Sequence, residues 1–266
     1  MTHTEENRAI PAATVLLVRD GANGLEVVMV ERHKDIGFAG GALVFPGGRI
    51  DPTDASPAWR DRAEGLSDDS ARAAGEVAAI REAFEEVGML LARRRGSEDI
   101  LSGDEAAALH AWRAKSEADD AAFLEMVEAE DLVLACDRLA FFAHWSPPAG
   151  VAHKRFDTLF FIARAAEAQE IRQDGVEATE ALWISPHDAI ADEAAGRRKI
   201  IFPTVRNLEL LGLSGSGEDA IDHARSRAIR KVEPKVVERD GAHYLTIPDD
   251  LGYPVTEERL DRAMRG

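Results

Sequence analysis

The stretch Arg81-Glu82-Ala83-Phe84-Glu85-Glu86-Val87-Gly88-Met89 sets three carboxylates on one side of a helix and then ends on a glycine. At 100° per residue, Glu82, Glu85 and Glu86 fall within roughly a 100° arc, because side chains at i, i+3 and i+4 are neighbours. Like charges held that close repel one another, by on the order of a few tenths of a kcal/mol per pair even in water. A cation offsets that repulsion. A hard divalent ion such as Mg²⁺ takes oxygen ligands and needs only one or two carboxylates beside waters and phosphate oxygens. Acidic residues at helical spacing more often form a merely solvated face. The reading shifts because about thirty residues upstream stands Gly40-Gly41-Ala42-Leu43-Val44-Phe45-Pro46-Gly47-Gly48-Arg49-Ile50-Asp51. There a short apolar strand runs into Pro-Gly-Gly, where the backbone can turn sharply and come close to a ligand or ion.

Together these residues resemble the Nudix hydrolase family. Its box reads Gly, five residues, Glu, seven residues, Arg-Glu, an apolar residue, any residue, Glu-Glu, any residue, Gly and an apolar residue. The right half matches, with Ala83 in the slot of a larger apolar residue. The left half departs from the pattern. With Gly48 as the first glycine, Asp54 stands where the first Glu belongs, and Arg81 follows Gly48 by 33 positions instead of 14. That leaves 19 extra residues, about 57–75, between turn and helix. Counting back from Arg81 instead puts Ala73 and Ser67 in the two slots, so the contiguous box fails either way. A box split in this manner is similar to the branch of the family that includes coenzyme A and acyl-coenzyme A diphosphatases. The likeness continues through Arg155-Phe156-Asp157-Thr158 and Pro203-Thr204.

The resemblance implies an α/β fold, a Nudix-type α/β/α sandwich with a mixed sheet, and metal-dependent cleavage of a diphosphate bond in a nucleoside diphosphate derivative. It implies Glu82, Glu85 and Glu86 as the core of the site and as ligands of Mg²⁺ or Mn²⁺, with Glu82 as a ligand or an aid to water activation. A backbone carbonyl near Gly47 or Gly48 would be a further ligand, and Arg81 an orienting partner of a box glutamate. In many members a later loop Glu joins the site; here Glu177 is the first choice and Glu180 the second, and either could instead be a solvated loop acid. Val30-Glu31-Arg32-His33 with Gly37-Phe38 is loosely similar to the coenzyme A signature that precedes the box in related enzymes, with His33 in place of the usual Ser. Arg32, His33 and Phe38 are therefore candidate contacts to a nucleotide base or pantetheine arm. Three other readings stay open: a pyrophosphatase for ADP-ribose or NADH, a ligand-binding regulator that keeps the fold without turnover, and an isopentenyl diphosphate isomerase, which would need Cys136 beside the metal.

With 266 residues the chain can bury a full core, and it reads as a single domain carrying a helical insertion over about 96–130 and a C-terminal extension over about 203–266. The insertion could be a lid over the substrate or a purely structural hairpin. One cysteine, Cys136, rules out an intramolecular disulfide framework and fits a reducing compartment. No apolar run approaches a membrane span and Met1-Thr2-His3-Thr4-Glu5-Glu6 lacks the regions of a signal peptide, so the expected location is the cytoplasm. A formal charge of −17 argues against nucleic-acid or anionic-membrane partners. It also requires cations near an anionic substrate, with Arg32, Arg49 and Arg155 as candidate arginines. The chain leaves room for a homodimer.

The pattern predicts strands over 14–19 and 25–32 joined as a hairpin through Gly21-Ala22-Asn23-Gly24, and a short strand over 43–45. A helix is predicted over 68–94, with Gly88 either closing it or sitting inside it. Ser102-Gly103-Asp104 reads as a helix start, 119–130 as a second helix, and 132–145 and 156–163 as two long strands. Ala181–Ile184 is a short strand before Ser185-Pro186, a helix N-cap and first position with Asp188 placed to answer the cap. Helices around 187–195, 204–211 and 218–227 precede a hairpin turning at Asp240-Gly241.

Overall fold

β1 (Ile10–Gly21) and β2 (Gly24–Arg32) form the predicted hairpin, paired from Val18↔Val27 to Gly21↔Gly24. Both faces of β1 are buried because successive side chains point to opposite sides: Val15 and Leu17 enter one core, Leu16 and Val18 the other. A strand buried on both faces needs a layer on each side, which makes this an α/β/α sandwich. The computed structural model describes residues 9–34, 39–147, 155–166, 169–173 and 178–264.

Away from the hairpin turn the two strands part. β3 (Leu43–Val44) pairs with β2 and β4 (Gly47–Arg49) pairs with β1 through Ala12↔Arg49, Ala13↔Gly48 and Thr14↔Gly47. Gly47 and Gly48 therefore lie in a strand rather than in a turn, and neither has a positive φ. After two 3-10 turns, Pro52–Ala55 and Pro57–Asp61, and β5 (Ala63–Glu64), helix α1 runs over Ser70–Val87. Asp69 caps its start by accepting the Arg72 N–H at 2.8 Å.

The expected helix over 68–94 is thus too long. Gly88, left-handed at φ 72°, ends it, and the N–H groups of Gly88 and Met89 fold back onto the Phe84 and Ala83 carbonyls. Ala92–Arg94 is a strand, β6. The last residues of the 57–75 spacer belong to the first turns of α1.

The insertion folds as α2 (Gly103–Ala108), with the Ser102 and Glu105 capping box, α3 (Arg113–Ala118) and α4 (Ala122–Ala129). The long strand expected over 132–145 is two strands in different sheets. β7 (Leu132–Ala135) pairs with β5 and β6, and β8 (Ala140–Trp145) joins the main sheet. A 3-10 turn, Cys136–Arg138, separates them, with only Asp137-Arg138 interrupting an otherwise apolar run. β9 (Phe156–Arg164) lies parallel to β1 over its whole length and antiparallel to β8; β10 (Ala178–Ile184) closes the other edge on β2.

Ser185 caps α5 (Pro186–Ala194) and its hydroxyl accepts the Asp188 N–H at 3.0 Å, as predicted. α6 (Phe202–Leu211) and α7 (Gly217–Ser226) cover the face opposite α1. The C-terminal extension is not an appendage throughout, because β11 (Lys231–Val232) extends the main sheet beside β8. The hairpin of β12 (Lys235–Arg239) and β13 (Ala242–Thr246) turns at Asp240 and Gly241, both with positive φ, and continues to β14 (Glu257–Arg259) and α8 (Leu260–Ala263). Among the described residues no helix is long and apolar enough to cross a membrane.

Candidate active site

Arg81 is the hub of the site. It is buried, and its Nε and Nη2 donate to both oxygens of Asp54 at 3.0 and 2.9 Å. Its Nη1 donates to Glu82 at 2.9 Å and Glu85 at 2.8 Å, and Nη2 also donates to the Arg49 carbonyl at 2.8 Å and stands 3.3 Å from Asp51. Burial works against the charge on Arg81, but Glu82, Asp54 and Glu85 outweigh it and hold the guanidinium firmly protonated. The fork geometry suits arginine, whose planar donors match a carboxylate two at a time.

Asp54 therefore does what the split box left undecided. The spacer loops away and the chain still returns an acid to Arg81, 27 positions off in sequence. The inserted segments hold it there. Trp59, in the second 3-10 turn, packs on Phe123 of α4 with ring centroids 5.8 Å apart, and Phe123 packs on Phe84 of α1 at 6.2 Å. Trp59 also donates to the Thr53 carbonyl at 2.9 Å, and the Thr53 hydroxyl donates to the Asp120 carbonyl at 2.6 Å. The spacer and the 96–130 insertion thus pack on each other around the acid.

The insertion also seizes the end of α1. Arg113 donates twice to the Glu85 carbonyl, at 3.0 and 2.6 Å, and His110 Nε2 lies 3.1 Å from the Gly88 carbonyl. A cationic side chain there answers the negative end of the helix dipole and carbonyls that have no helical partner. Ser116 donates a short hydrogen bond to Glu85 Oε1. These contacts make the insertion a brace for the acidic helix. None of Asp54, Ser116, Arg113 and His110 was among the sequence candidates. Asp54 had a signal, its position in the box; the other three had none, since they follow a segment whose alanine-rich composition points only to helix.

The three box glutamates sit on one face, each buried, with different partners. Glu86 accepts the Gly47 N–H at 3.0 Å and lies 3.9 Å from Arg32 Nη1. Glu85 is held by Arg81 and Ser116. Glu82 faces Gly48: a Cβ there would stand 2.4 Å from Glu82 Oε1. The box glycine is needed for a close carboxylate rather than for a turn. Burial raises the pKa of Glu82 well above the ordinary carboxylate value, with Arg81 opposing and the charges of Glu86 and Glu85 adding to it. Burial also raises Glu85, against Arg81 and Ser116, and Asp51, against Arg81.

Among the described residues no three His, Cys, Asp or Glu side chains converge as a finished metal cage. The donor set still fits a hard cation. Five carboxylates, from Asp51, Asp54, Glu82, Glu85 and Glu86, present oxygen here, with Arg81 in contact with the first four and Arg32 3.9 Å from Glu86. Mg²⁺ sites commonly use one or two carboxylates and leave the remaining positions to water and substrate phosphate.

Of the other candidates, Arg32 is brought to Glu86, whereas His33 is exposed at the end of β2. Arg49 is exposed on β4 with only its carbonyl at the hub. Arg155 lies at the same end of the sheet, with Nε and Nη2 donating to the Pro147 carbonyl at 3.1 and 2.9 Å. Phe38 and Glu177 lie outside the described residues. Glu180, the second choice for a loop acid, accepts from Arg198 at 2.6 Å, as does Glu31. Cys136 is buried, burial pushes its thiol pKa up, and the charged groups that bear on it are Glu76, Asp137 and Arg93 rather than the box glutamates.

The NUDT19 Nudix domain family matches residues 63–209. Acyl-coenzyme A diphosphatase NUDT19 of Xenopus laevis is 28% identical over 231 residues, which cover 72% of this chain and 60% of that protein. The Homo sapiens protein of the same name is 27% identical over 208 residues, covering 63% of this chain and 55% of that protein. The chain spans little more than half the length of these relatives. A NUDIX hydrolase from Alicyclobacillus acidocaldarius of known structure is 31% identical, with a TM-score of 0.67 over 81% of this chain and 96% of that one. With the box completed in space and these matches in its sequence and its fold, the chain belongs to the Nudix hydrolase family.

Proposed function

We propose that the chain hydrolyses the diphosphate bond of coenzyme A or an acyl-coenzyme A, giving adenosine 3′,5′-bisphosphate and a phosphopantetheine, with Mg²⁺ or Mn²⁺ as cofactor. The observation that carries this reading is the Arg81 hub, which restores the box across a spacer like that of the coenzyme A branch. The likeness to two acyl-coenzyme A diphosphatases supports the choice of substrate.

When bound, a divalent cation supplies positive charge against the phosphoryl oxygens, the largest requirement of phosphoryl transfer. Glu82 and Glu86, with the Gly48 carbonyl, are the groups we assign to hold it. Glu85 could add a ligand, but its two oxygens already meet Arg81 and Ser116. Arg81 fixes Glu82 and Glu85 in one geometry and spends no catalytic role of its own. Held by Arg81 beside Gly48, Glu82 is assigned to orient the attacking water as well as to hold the cation. Arg32, beside Glu86, is the candidate contact to the substrate phosphates.

The test is a substrate comparison with Mg²⁺ or Mn²⁺, reading products by mass spectrometry. Coenzyme A and acetyl-coenzyme A are expected to exceed ADP-ribose and NADH in kcat/KM by at least about tenfold, on the scale of one well-made polar contact. Glu86→Gln is expected to lower turnover by orders of magnitude. Preference for ADP-ribose or NADH would overturn the substrate, and a Glu86→Gln variant of normal rate would overturn the site.

A further inference from the structure

The segment 41–43 runs between two stretches of chain that each bring cations to it. On one side the Arg32 N–H donates to the Ala42 carbonyl and the Gly41 N–H donates to the Arg32 carbonyl, both at 3.0 Å. On the other side Ala42 forms a parallel bridge with Lys199, and the Leu43 N–H donates to the Lys199 carbonyl at 2.7 Å. Bridged residues share a face of the sheet, so Lys199 stands on the face of Ala42, which belongs to the core on the α1 side. Its chain neighbours agree. Arg198 reaches Glu31, which is paired with Leu43, and Ile200 packs with Leu43 and Phe45, all on the opposite face. Arg32 is on the α1 side too, since its guanidinium lies 3.9 Å from Glu86. With neighbouring strands about 4.8 Å apart, Lys199 and Arg32 are roughly 10 Å apart at the backbone, with Ala42 between them. Lys34 comes to the same segment from beyond the end of β2. Its stem lies along Gly41, where an added Cβ would stand 3.3 Å from Lys34 Cγ and 4.0 Å from its Cε.

Among the described residues neither Lys34 nor Lys199 has a carboxylate within 4 Å, although the chain carries 49 acids against 32 lysines and arginines. Arg198, next to Lys199, is held by both Glu31 and Glu180. An exposed lysine keeps its hydration and needs no partner, so the missing carboxylates alone call for no ligand. Position gives them a meaning. The acidic helix and its cation answer the diphosphate, but the nucleotide of coenzyme A also carries a phosphate monoester at the ribose 3′ position, with a charge of about −1.5 to −2. A chain of formal charge −17 repels that group unless cations meet it locally. Lys34 and Lys199 are the cations that follow Arg32 along the row through Gly41 and Ala42. Their flexible stems end in compact charges with three donors each, which suits a phosphate approached from more than one side.

We propose that Lys34 and Lys199 bind the 3′-phosphate of the substrate nucleotide and make the enzyme choose coenzyme A over its 3′-dephospho form. The inference rests on the coenzyme A reading of the site and adds to it a phosphate contact outside the diphosphate. Lys199 lies between α5 and α6, far in sequence from both halves of the box, and only the bridge to Ala42 brings it to the rim.

Two comparisons on the full chain with Mg²⁺ test this: turnover of coenzyme A against 3′-dephospho-coenzyme A, and binding of adenosine 3′,5′-bisphosphate against AMP by calorimetry, which needs no turnover. The wild type is expected to favour the 3′-phosphorylated member of each pair by at least about tenfold, the scale of two exposed ion pairs acting together. Lys34→Met and Lys199→Met keep the stem and remove the charge. Each should cut both ratios about threefold, through KM rather than kcat, and the double substitution should bring them near one. Lys34→Arg with Lys199→Arg should restore most of the preference. A wild-type ratio near one, or a preference that survives the double substitution, overturns the proposal. If neither form of coenzyme A is cleaved, the proposed function falls, and the two nucleotide affinities alone decide the role of the lysines.

Discussion

Gly47→Ala and Gly48→Ala differ by one position and should fail in different ways. At Gly48 an added Cβ would meet Glu82 Oε1 at 2.4 Å, against an ordinary contact of at least 3.4 Å, so the carboxylate must retreat by about 1 Å. The obstacle is the far end of a flexible side chain, so the fold survives. The retreat loosens the bond to Arg81, and a charge-assisted hydrogen bond in a buried place is worth about 1.5–3 kcal/mol, of which partial loss should show as about 1 kcal/mol. The reaction should suffer far more. A misplacement of about 1 Å in a positioned group can cost about 10²-fold in rate. At Gly47 the same methyl meets Ala13 O at 2.5 Å and Thr14 Cα at 2.8 Å, which are backbone and cannot swing aside. That change should break the pairing of β4 on β1 and lower stability by about 2–4 kcal/mol, in the range of serious steric faults. Urea denaturation gives the stability of each variant, and kcat with coenzyme A gives the catalytic loss. A Gly48→Ala enzyme with wild-type kcat would refute the argument that this glycine exists to admit Glu82.

Ser116→Ala should cost about 1–2 kcal/mol by denaturation, since the hydroxyl donates to a buried carboxylate, and should lower kcat with Ser116→Thr restoring much of it. An unchanged kcat would remove the insertion from catalysis. Stability should also depend on pH in a set direction. Glu82 and Glu85 have folded pKa values raised above the ordinary carboxylate value, so the folded state binds more protons than the unfolded one. Without metal, stability should therefore fall as pH rises from about 4.3 through the folded values, and a divalent cation should restore it by favouring the charged carboxylates. The gain in Tm on adding Mg²⁺ should accordingly grow with pH across that window; a constant gain would contradict the assignment. Cys136→Ser should leave turnover unchanged, measured with the same substrate, because the thiol is buried away from the box glutamates.

The elements that could be read in advance are those written in local pattern. Two apolar runs about a glycine-containing loop marked the first hairpin, Ser185-Pro186 marked the start of α5, and Asp240-Gly241 marked the last turn. Periodicity misled where it ran through a break. Ala92–Arg94 looks like more of α1, but Gly88 ends the helix in a left-handed conformation that the spacing of apolar residues does not record. Leu132–Trp145 looks like one strand, but Cys136–Arg138 turns it from one sheet to another.

The linear chain was enough to place Glu82, Glu85 and Glu86 on one face and to expect a cation there, because i, i+3 and i+4 are neighbours on any α-helix. Counted from Gly48, it also put Asp54 in the slot of the first box Glu, without naming a partner for it. Only the tertiary structure decided that Asp54 reaches Arg81, that Ser116 and Arg113 brace Glu85, and that the spacer is held by Trp59 against Phe123. These contacts join residues 27 to 64 positions apart, where no backbone period relates one side chain to another. They are fixed by the packing of whole elements, whose geometry is a property of the folded core and not of any one stretch of chain.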